Sequence, residues 1–95
     1  MAFELELKID RENEQAIYFQ IYEQIRDLIL NGSISDDSKL PSIRSLSNAL
    51  NVNTLTVVNA YKMLEKDKLV YKREGSGTFV VPMGEEFLLD DSPLY

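Results

Sequence analysis

The stretch that decides the fold is LPSIRSLSNALNVNTLTVVNAYKMLEK, residues 40–66. A helix is predicted over residues 43–50, because Ser42 is typical of a helix N-cap. Residues 51–53 form a tight turn, and another helix is predicted over residues 54–66. The side chains expected to turn inward from the first of these helices are Ile43, Leu46, Ala49 and Leu50. Two short helices joined by about three residues indicate a helix-turn-helix.

The later of these two helices, which Asn53 can cap, has two unlike faces. At about 100° per residue, the face expected in the core carries Val57, Ala60, Tyr61 and Leu64. The opposite face carries Leu55, Asn59, Lys62 and Lys66. Leu55 is the anomaly, since it is an apolar residue on the solvent side of the first turn, and Val58 on a flank is also doubtful as core. An apolar side chain there would suit a thymine methyl group in the major groove.

The segments on either side complete a small fold. Upstream, a helix over residues 16–31 is expected to end at Asn31-Gly32, and residues 33–39 are predicted to form a polar loop. Before that helix, residues 1–14 open with apolar and charged residues in strict alternation, which predicts a strand. Its apolar side chains are Phe3, Leu5, Leu7 and Ile9. A single strand must pack on something, and a second subunit is one candidate.

Downstream, the runs 69–73 and 78–81 are rich in β-forming residues and flank a turn over residues 74–77 with two glycines. They predict a hairpin. The predicted fold is mainly α with a small β-hairpin, a winged helix-turn-helix of three helices plus a wing. We expect an N-terminal extended segment over 1–14, the winged helix over 15–82, and an acidic tail over 83–95 that serves as a linker or a dimerisation segment.

Composition narrows the possible functions. A chain of 95 residues suits one small domain and leaves little room for a large ligand pocket. The absence of His and Cys removes the commonest general base, thiol nucleophiles and thiolate metal sites. We therefore expect no enzyme activity, no bound metal and no cofactor. No apolar run approaches ~18 residues, so no membrane span is predicted and the cytoplasm is the expected location.

The net charge of −6 argues against a nucleic-acid partner only if the charge is spread evenly. It is not, because residues 39–73 contain seven Lys and Arg against two acidic residues, a balance of +5. The rest of the chain carries −11. Five of these seven basic residues fall on the two helices of the helix-turn-helix and on the hairpin, which are the elements that face DNA in this motif.

These residues resemble the GntR family of bacterial transcription regulators. The resemblance rests on LPSIRSL at 40–46, LNVN at 50–53, the Val57, Ala60-Tyr61 and Leu64-Glu65 positions, and GSGTFV at 75–80. The upstream IYFQIY at 17–22, with Ile25-Arg26, fits the first helix of the family. The pattern looks more like the YtrA and MocR branches than like the branches with a long helical effector domain.

The resemblance implies an operator-binding homodimer with double-stranded DNA as its partner, and no effector can be named. It also implies that Ser42 and Arg44 contact DNA, that the start of the third helix enters the major groove, and that the wing tip reaches towards the minor groove. The candidate DNA-contacting residues are Lys39, Ser42, Arg44, Asn53, Thr54, Leu55, Thr56, Asn59, Lys62, Lys72, Arg73, Gly75, Ser76 and Gly77.

The chain departs from the family at several positions. Many relatives carry Arg at the position of Thr54 and a basic residue at that of Val58, and here both are uncharged. A Glu often stands where Ile43 and Ser45 stand, so a reciprocal capping box is not expected. Arg44 is therefore the best candidate for a guanine contact. Asn53 and Asn59 are candidates for adenine, and Leu55 for a thymine methyl.

Two alternatives stay open at this point. Exposed Leu55 and Val58 would also suit a winged-helix module that binds another protein. The chain could otherwise be the DNA-binding fragment of a larger MocR-type regulator, with the cofactor-binding domain elsewhere. For dimerisation, the candidate surfaces are the N-terminal strand and the Phe87–Leu89 stretch.

Overall fold

The computed structural model describes residues 6–82. Three helices are followed by a hairpin: α1 (Ile17–Leu30), α2 (Ile43–Leu50), α3 (Thr54–Lys66), β1 (Val70–Arg73) and β2 (Gly77–Val80). The two strands are antiparallel, with Val70 opposite Val80 and Arg73 opposite Gly77. The predicted winged helix-turn-helix is confirmed, and every predicted helix and strand boundary within it lies within one residue of the observed one.

The core lies where α1 packs on α3, with α2 against the side of α3. Helix α1 contributes an isoleucine stripe at i, i+4 and i+8, which places its members on one helical face. The fully or almost fully buried aliphatic side chains include Ile21, Ile25, Leu40, Leu46, Val57, Leu64 and Val80. The core face predicted for α3, including Tyr61, is confirmed. This packing holds α3 with its Leu55 side outward.

The inward face of α2 differs from the prediction at two positions. Ala49 is exposed, whereas Ser47 is buried with only 2% of its surface accessible. The reason is the helical stripe i, i+3, i+4 and i+7, which starting from Ile43 includes residue 47 and leaves out residue 49. The Ser47 hydroxyl is satisfied in this place because it donates to the Arg44 carbonyl at 2.9 Å.

The strand predicted at the N-terminus is wrong for the part that the structure describes. Residues 6–10 form no helix and pair with no strand, while Leu7 and Ile9 pack on the core of their own chain. Their backbone bonds go to side chains of α1. The Lys8 N–H donates to Gln24 Oε1 at 2.9 Å, and the Asp10 N–H donates to Gln20 Oε1 at 2.9 Å. Phe3 and Leu5 lie outside the described residues.

The loop before α2 is also more ordered than its polar sequence predicts. Ile34 is buried, and the backbone of residues 37–40 runs beside β2. This edge segment, residues 37–40, therefore acts as a short third strand, and an isolated bridge joins Lys39 to Phe79. Within the described range, none of the three helices is long and apolar enough to cross a membrane.

Candidate nucleic-acid interface

The start of α2 presents one cap and one free cation. The Ser42 hydroxyl accepts the Ser45 N–H at 3.0 Å, so the predicted N-cap is confirmed. Because Ile43 and Ser45 are not acidic, no carboxylate of the first turn can bond back to the Ser42 N–H, and the reciprocal capping box is absent. Arg44, one residue inside the helix, is exposed, and its guanidinium has no hydrogen bond or ion pair with any other residue between 6 and 82. It is therefore available for a ligand.

A buried tyrosine joins this helix start to α3. Tyr61 is only 4% exposed, and its hydroxyl donates to the Pro41 carbonyl at 2.7 Å. Burial raises the pKa of the Tyr61 phenol well above its usual value, so the group stays a proton donor across the physiological range. The bond to Pro41 uses the only proton of this buried hydroxyl, so none is left to donate to a phosphate.

The start of α3 is exposed and uncharged. Asn53 caps the helix, and its Oδ1 accepts the Leu55 N–H at 2.8 Å. Leu55 itself is 61% exposed, which confirms its outward position. Thr54 is exposed, whereas Thr56 and Asn59 are half-buried. Because the cap occupies one lone pair of Asn53 Oδ1, a bidentate contact to adenine would have to use the other.

Further along α3, Lys62 is exposed and is one turn away from Val58, which is half-buried. The face therefore changes from uncharged at its beginning to basic in its later turns, where Lys66 is also exposed. Uncharged groups at the first turn suit base edges, and cations farther along suit the phosphate backbone.

The wing carries Lys72 and Arg73 at the end of β1, next to a turn over residues 74–77. The Arg73 guanidinium lies 4.9 Å from the centre of the Phe79 ring, so a cation–π contact limits its range of directions. The Ser76 N–H donates to the Arg73 carbonyl at 2.9 Å and closes the turn. Gly75 has φ +79°, a value that glycine adopts at little cost.

Lys39 belongs to the wing in space, although it precedes α2 in sequence. Its stem crosses Gly77, and a Cβ at Gly77 would lie 2.8 Å from Lys39 Cε. Gly77 also has φ +128°, where other residues are strained. The structure thus brings Lys39 and Gly77 together. No hydrogen bond or ion pair within residues 6–82 joins candidate side chains of α2, α3 and the wing to one another.

Ion pairs are scarce in the described part of the chain. Between residues 6 and 82 the only ion pair is Arg26–Asp27 on α1, at 3.2 Å. The cations at the start of α2, on α3 and on the wing therefore have no carboxylate partner in this range. One nearby carboxylate, Asp37, is engaged instead by the Tyr71 hydroxyl at 2.9 Å. The result is a surface with unneutralised positive charge.

The sequence did not predict the side-chain hydrogen bonds of Arg11, Tyr61 and Tyr71, which join distant elements around this surface. Arg11 Nη2 donates to the carbonyls of Leu50 and Asn51, at 3.2 and 2.9 Å, and so closes the carboxyl end of α2. Asn51 there is left-handed, with φ 58°. No pattern in the sequence points to these contacts, because each joins residues at least 20 positions apart.

Comparison with known proteins agrees with this geometry. The family model "Bacterial regulatory proteins, gntR family" matches residues 17–80. The HTH-type transcriptional repressor YtrA of Bacillus subtilis is 36% identical over 74 residues, which are 78% of this chain and 57% of YtrA. The chain thus spans a little over half of that relative.

Two solved structures share the fold. A GntR-family transcription factor YtrA from Sulfolobus acidocaldarius is 41% identical with a TM-score of 0.73, over 80% of this chain and 64% of that one. The DNA-binding domain of AraR, solved in complex with operator ORE1, is 30% identical with a TM-score of 0.67, over 81% of this chain and 94% of that one. From α1 to the last strand of the wing, this chain belongs to the GntR family of bacterial regulatory proteins.

Proposed function

We propose that this chain is the DNA-binding domain of a transcription regulator that recognises a double-stranded operator. The start of α3 would enter the major groove, Arg44 at the start of α2 would contact a guanine, and the wing would lie near the minor groove. The observation that carries this proposal is the set of cations without carboxylate partners around the uncharged, exposed first turn of α3. The likeness to an operator-bound AraR domain supports it.

The likeness to the Bacillus YtrA supports a proposal about the cellular role. We propose a repressor, because the Bacillus YtrA is named one, acting in the cytoplasm where bacterial operators are located. The chain would have no enzyme activity and no cofactor of its own. A place within a larger regulator, including one of MocR type, is compatible with this role.

A homodimer is part of the proposal, since operators with two-fold symmetry are matched by two-fold symmetric proteins. The N-terminal segment is the weaker of the two candidate surfaces, because Leu7 and Ile9 are already packed on their own core. The other candidate, Phe87–Leu89, lies outside the described residues.

The test is binding of labelled duplexes measured by fluorescence anisotropy at several salt concentrations. The duplexes are promoter DNA from the protein's own operon and a random sequence of equal length. If about five phosphates are contacted, log K should fall against log[salt] with a slope of about −4.5. The promoter duplex should bind more tightly than the random one at every salt concentration. An absence of binding at low salt would contradict the proposal and favour the protein-interaction module.

Leu55 gives a prediction about base recognition. Replacing the contacted thymine by uracil removes one methyl group, and burial of such a group is worth about 0.8 kcal/mol. We therefore expect a loss of about fourfold in affinity at one thymine of each half-site, found by substituting the thymines one at a time. The Leu55→Ala variant should bind the duplex with thymine and the duplex with uracil at that position equally tightly.

The matched control for this prediction is Leu30→Ala, because Leu30 is 58% exposed at the end of α1, and Leu55 is 61% exposed. Its preference for thymine over uracil should be unchanged. If Leu55→Ala kept that preference as well, Leu55 would not be the reader of the methyl group.

A further inference from the structure

The segment before α2 is bonded to elements on both of its sides. The Asp37 N–H donates to the Val80 carbonyl, and the Val80 N–H donates to the Ser38 carbonyl, both at 2.9 Å. The Leu40 N–H then donates to the Thr78 carbonyl at 2.8 Å. These bonds fix the edge segment to the wing strand β2. The next residue, Pro41, is buried and carries the carbonyl that Tyr61 of α3 holds.

The bond from Tyr61 has a direct geometric consequence for α2. Pro41 immediately precedes the N-cap Ser42, and Arg44 follows two residues later. Pro41 has no N–H, so its carbonyl is the hydrogen-bonding group with which this residue can be anchored. The Tyr61 hydroxyl therefore helps to fix where α2 begins relative to α3, and with it the position from which the Arg44 side chain extends.

We propose that Tyr61 is a positioning residue for DNA binding, whose hydroxyl holds Arg44 in register with the exposed face of α3 through Pro41 and Ser42. This inference rests on the proposed operator binding. It goes beyond packing, because the tyrosine ring fills the core whether or not its hydroxyl is present. Tyr61 itself touches no DNA in this proposal, because its hydroxyl is buried on Pro41.

A matched control is present in the same core. The Tyr22 hydroxyl donates to an oxygen of Asp67, so it also joins two elements, the middle of α1 and the end of α3. Tyr22 is buried as well, and neither residue belongs to α2 or the wing. Tyr22→Phe therefore removes another tyrosine hydroxyl bond between two elements, here to a carboxylate, without touching the start of α2.

The experiment is a double-mutant cycle on the full chain, measured as affinity for the promoter duplex by fluorescence anisotropy. Tyr61→Phe should weaken binding about fivefold, which is the effect on affinity that corresponds to the loss of one ordinary hydrogen bond. Combined with Arg44→Ala, it should add almost nothing, because the side chain that it positions is gone. Tyr22→Phe should leave operator affinity within about twofold.

The possible results separate this inference from the proposed function. If the unaltered protein fails to bind the promoter duplex, the proposed function is wrong. Two results would overturn only the positioning role, provided that the unaltered protein binds and Arg44→Ala weakens binding. In the first, Tyr61→Phe leaves the affinity unchanged. In the second, the fold-losses of Tyr61→Phe and Arg44→Ala multiply in the double variant. Tyr61→Met, which has a smaller, flexible apolar side chain without a hydroxyl, repeats the cycle should the phenylalanine variant fail to fold.

Amide hydrogen exchange supplies a readout that general destabilisation does not produce. The Ser45 amide is bonded to the Ser42 cap of α2, and the Leu55 amide to the Asn53 cap of α3. Tyr61→Phe should accelerate exchange at Ser45 more than at Leu55. Equal acceleration at both amides would indicate loss of global stability alone and would contradict the positioning role.

Discussion

Arg44→Ala should weaken binding to the promoter duplex by about 2 kcal/mol, or about 30-fold, which is the loss expected for one bidentate contact to guanine. The reason is that Arg44 is the exposed arginine at the start of α2 and has no partner within residues 6–82. Binding to random duplex should fall much less. The measurement is anisotropy at fixed salt with both duplexes, and equal losses on the two would assign Arg44 to a phosphate instead.

Two further variants sharpen the result for Arg44. Arg44→Lys keeps the positive charge but lacks the planar fork, so it should restore non-specific binding and not the preference for the promoter. Arg26→Ala removes a half-buried arginine of α1 that is already paired with Asp27 and lies over the Tyr22 ring. That variant should bind both duplexes as the unaltered protein does, and a loss equal to that of Arg44→Ala would show a mere effect of net charge.

Gly77→Ala should destabilise the domain by about 2 kcal/mol and weaken promoter binding about tenfold. The stability loss comes from φ +128°, a conformation that a residue with a Cβ adopts only with strain. The new Cβ would also meet Lys39 Cε at 2.8 Å. The end of a lysine side chain moves at small cost, but the move displaces an ammonium group that we place near DNA. Urea unfolding and anisotropy measure the two effects separately.

The control for Gly77 is Gly75→Asn in the same turn. Gly75 has φ +79°, no other atom lies within 4 Å of a Cβ built there, and asparagine tolerates left-handed backbone. We expect it to cost clearly less stability than Gly77→Ala and to leave Lys39 in place. If the two variants lost equal affinity, turn flexibility would be responsible and the lysine contact would not.

The sequence predicted the parts of the fold that depend on local signals. The N-caps at Ser42 and Asn53, the three-residue turn and the glycine-rich wing turn are set by neighbouring residues, and each is confirmed. The position of Leu55 was predictable for the same reason, since helical periodicity alone places it opposite the core face.

The parts that were missed depend on distant partners. The alternating sequence of residues 6–10 is typical of a strand, but the backbone N–H groups there donate to glutamine side chains of α1. Alternation shows which side chains share a face and does not show which groups the backbone bonds to. The edge segment 37–40 has no alternation and joins β2 through backbone groups that every residue has. The DNA contacts proposed for the candidate residues stay predictions that the variants above test.

The clamp of Arg11 on the end of α2 has a consequence for protein engineering. The family match starts at residue 17, yet a residue six positions earlier closes the turn between α2 and α3. A chimera that transplants only residues 17–80 into a relative would carry the surface that we propose contacts DNA, but not the two bonds that Arg11 makes to the end of α2. Chimeras designed to exchange DNA specificity should therefore place the boundary before Lys8. The segment that contains Arg11 is then transferred together with α2 and α3.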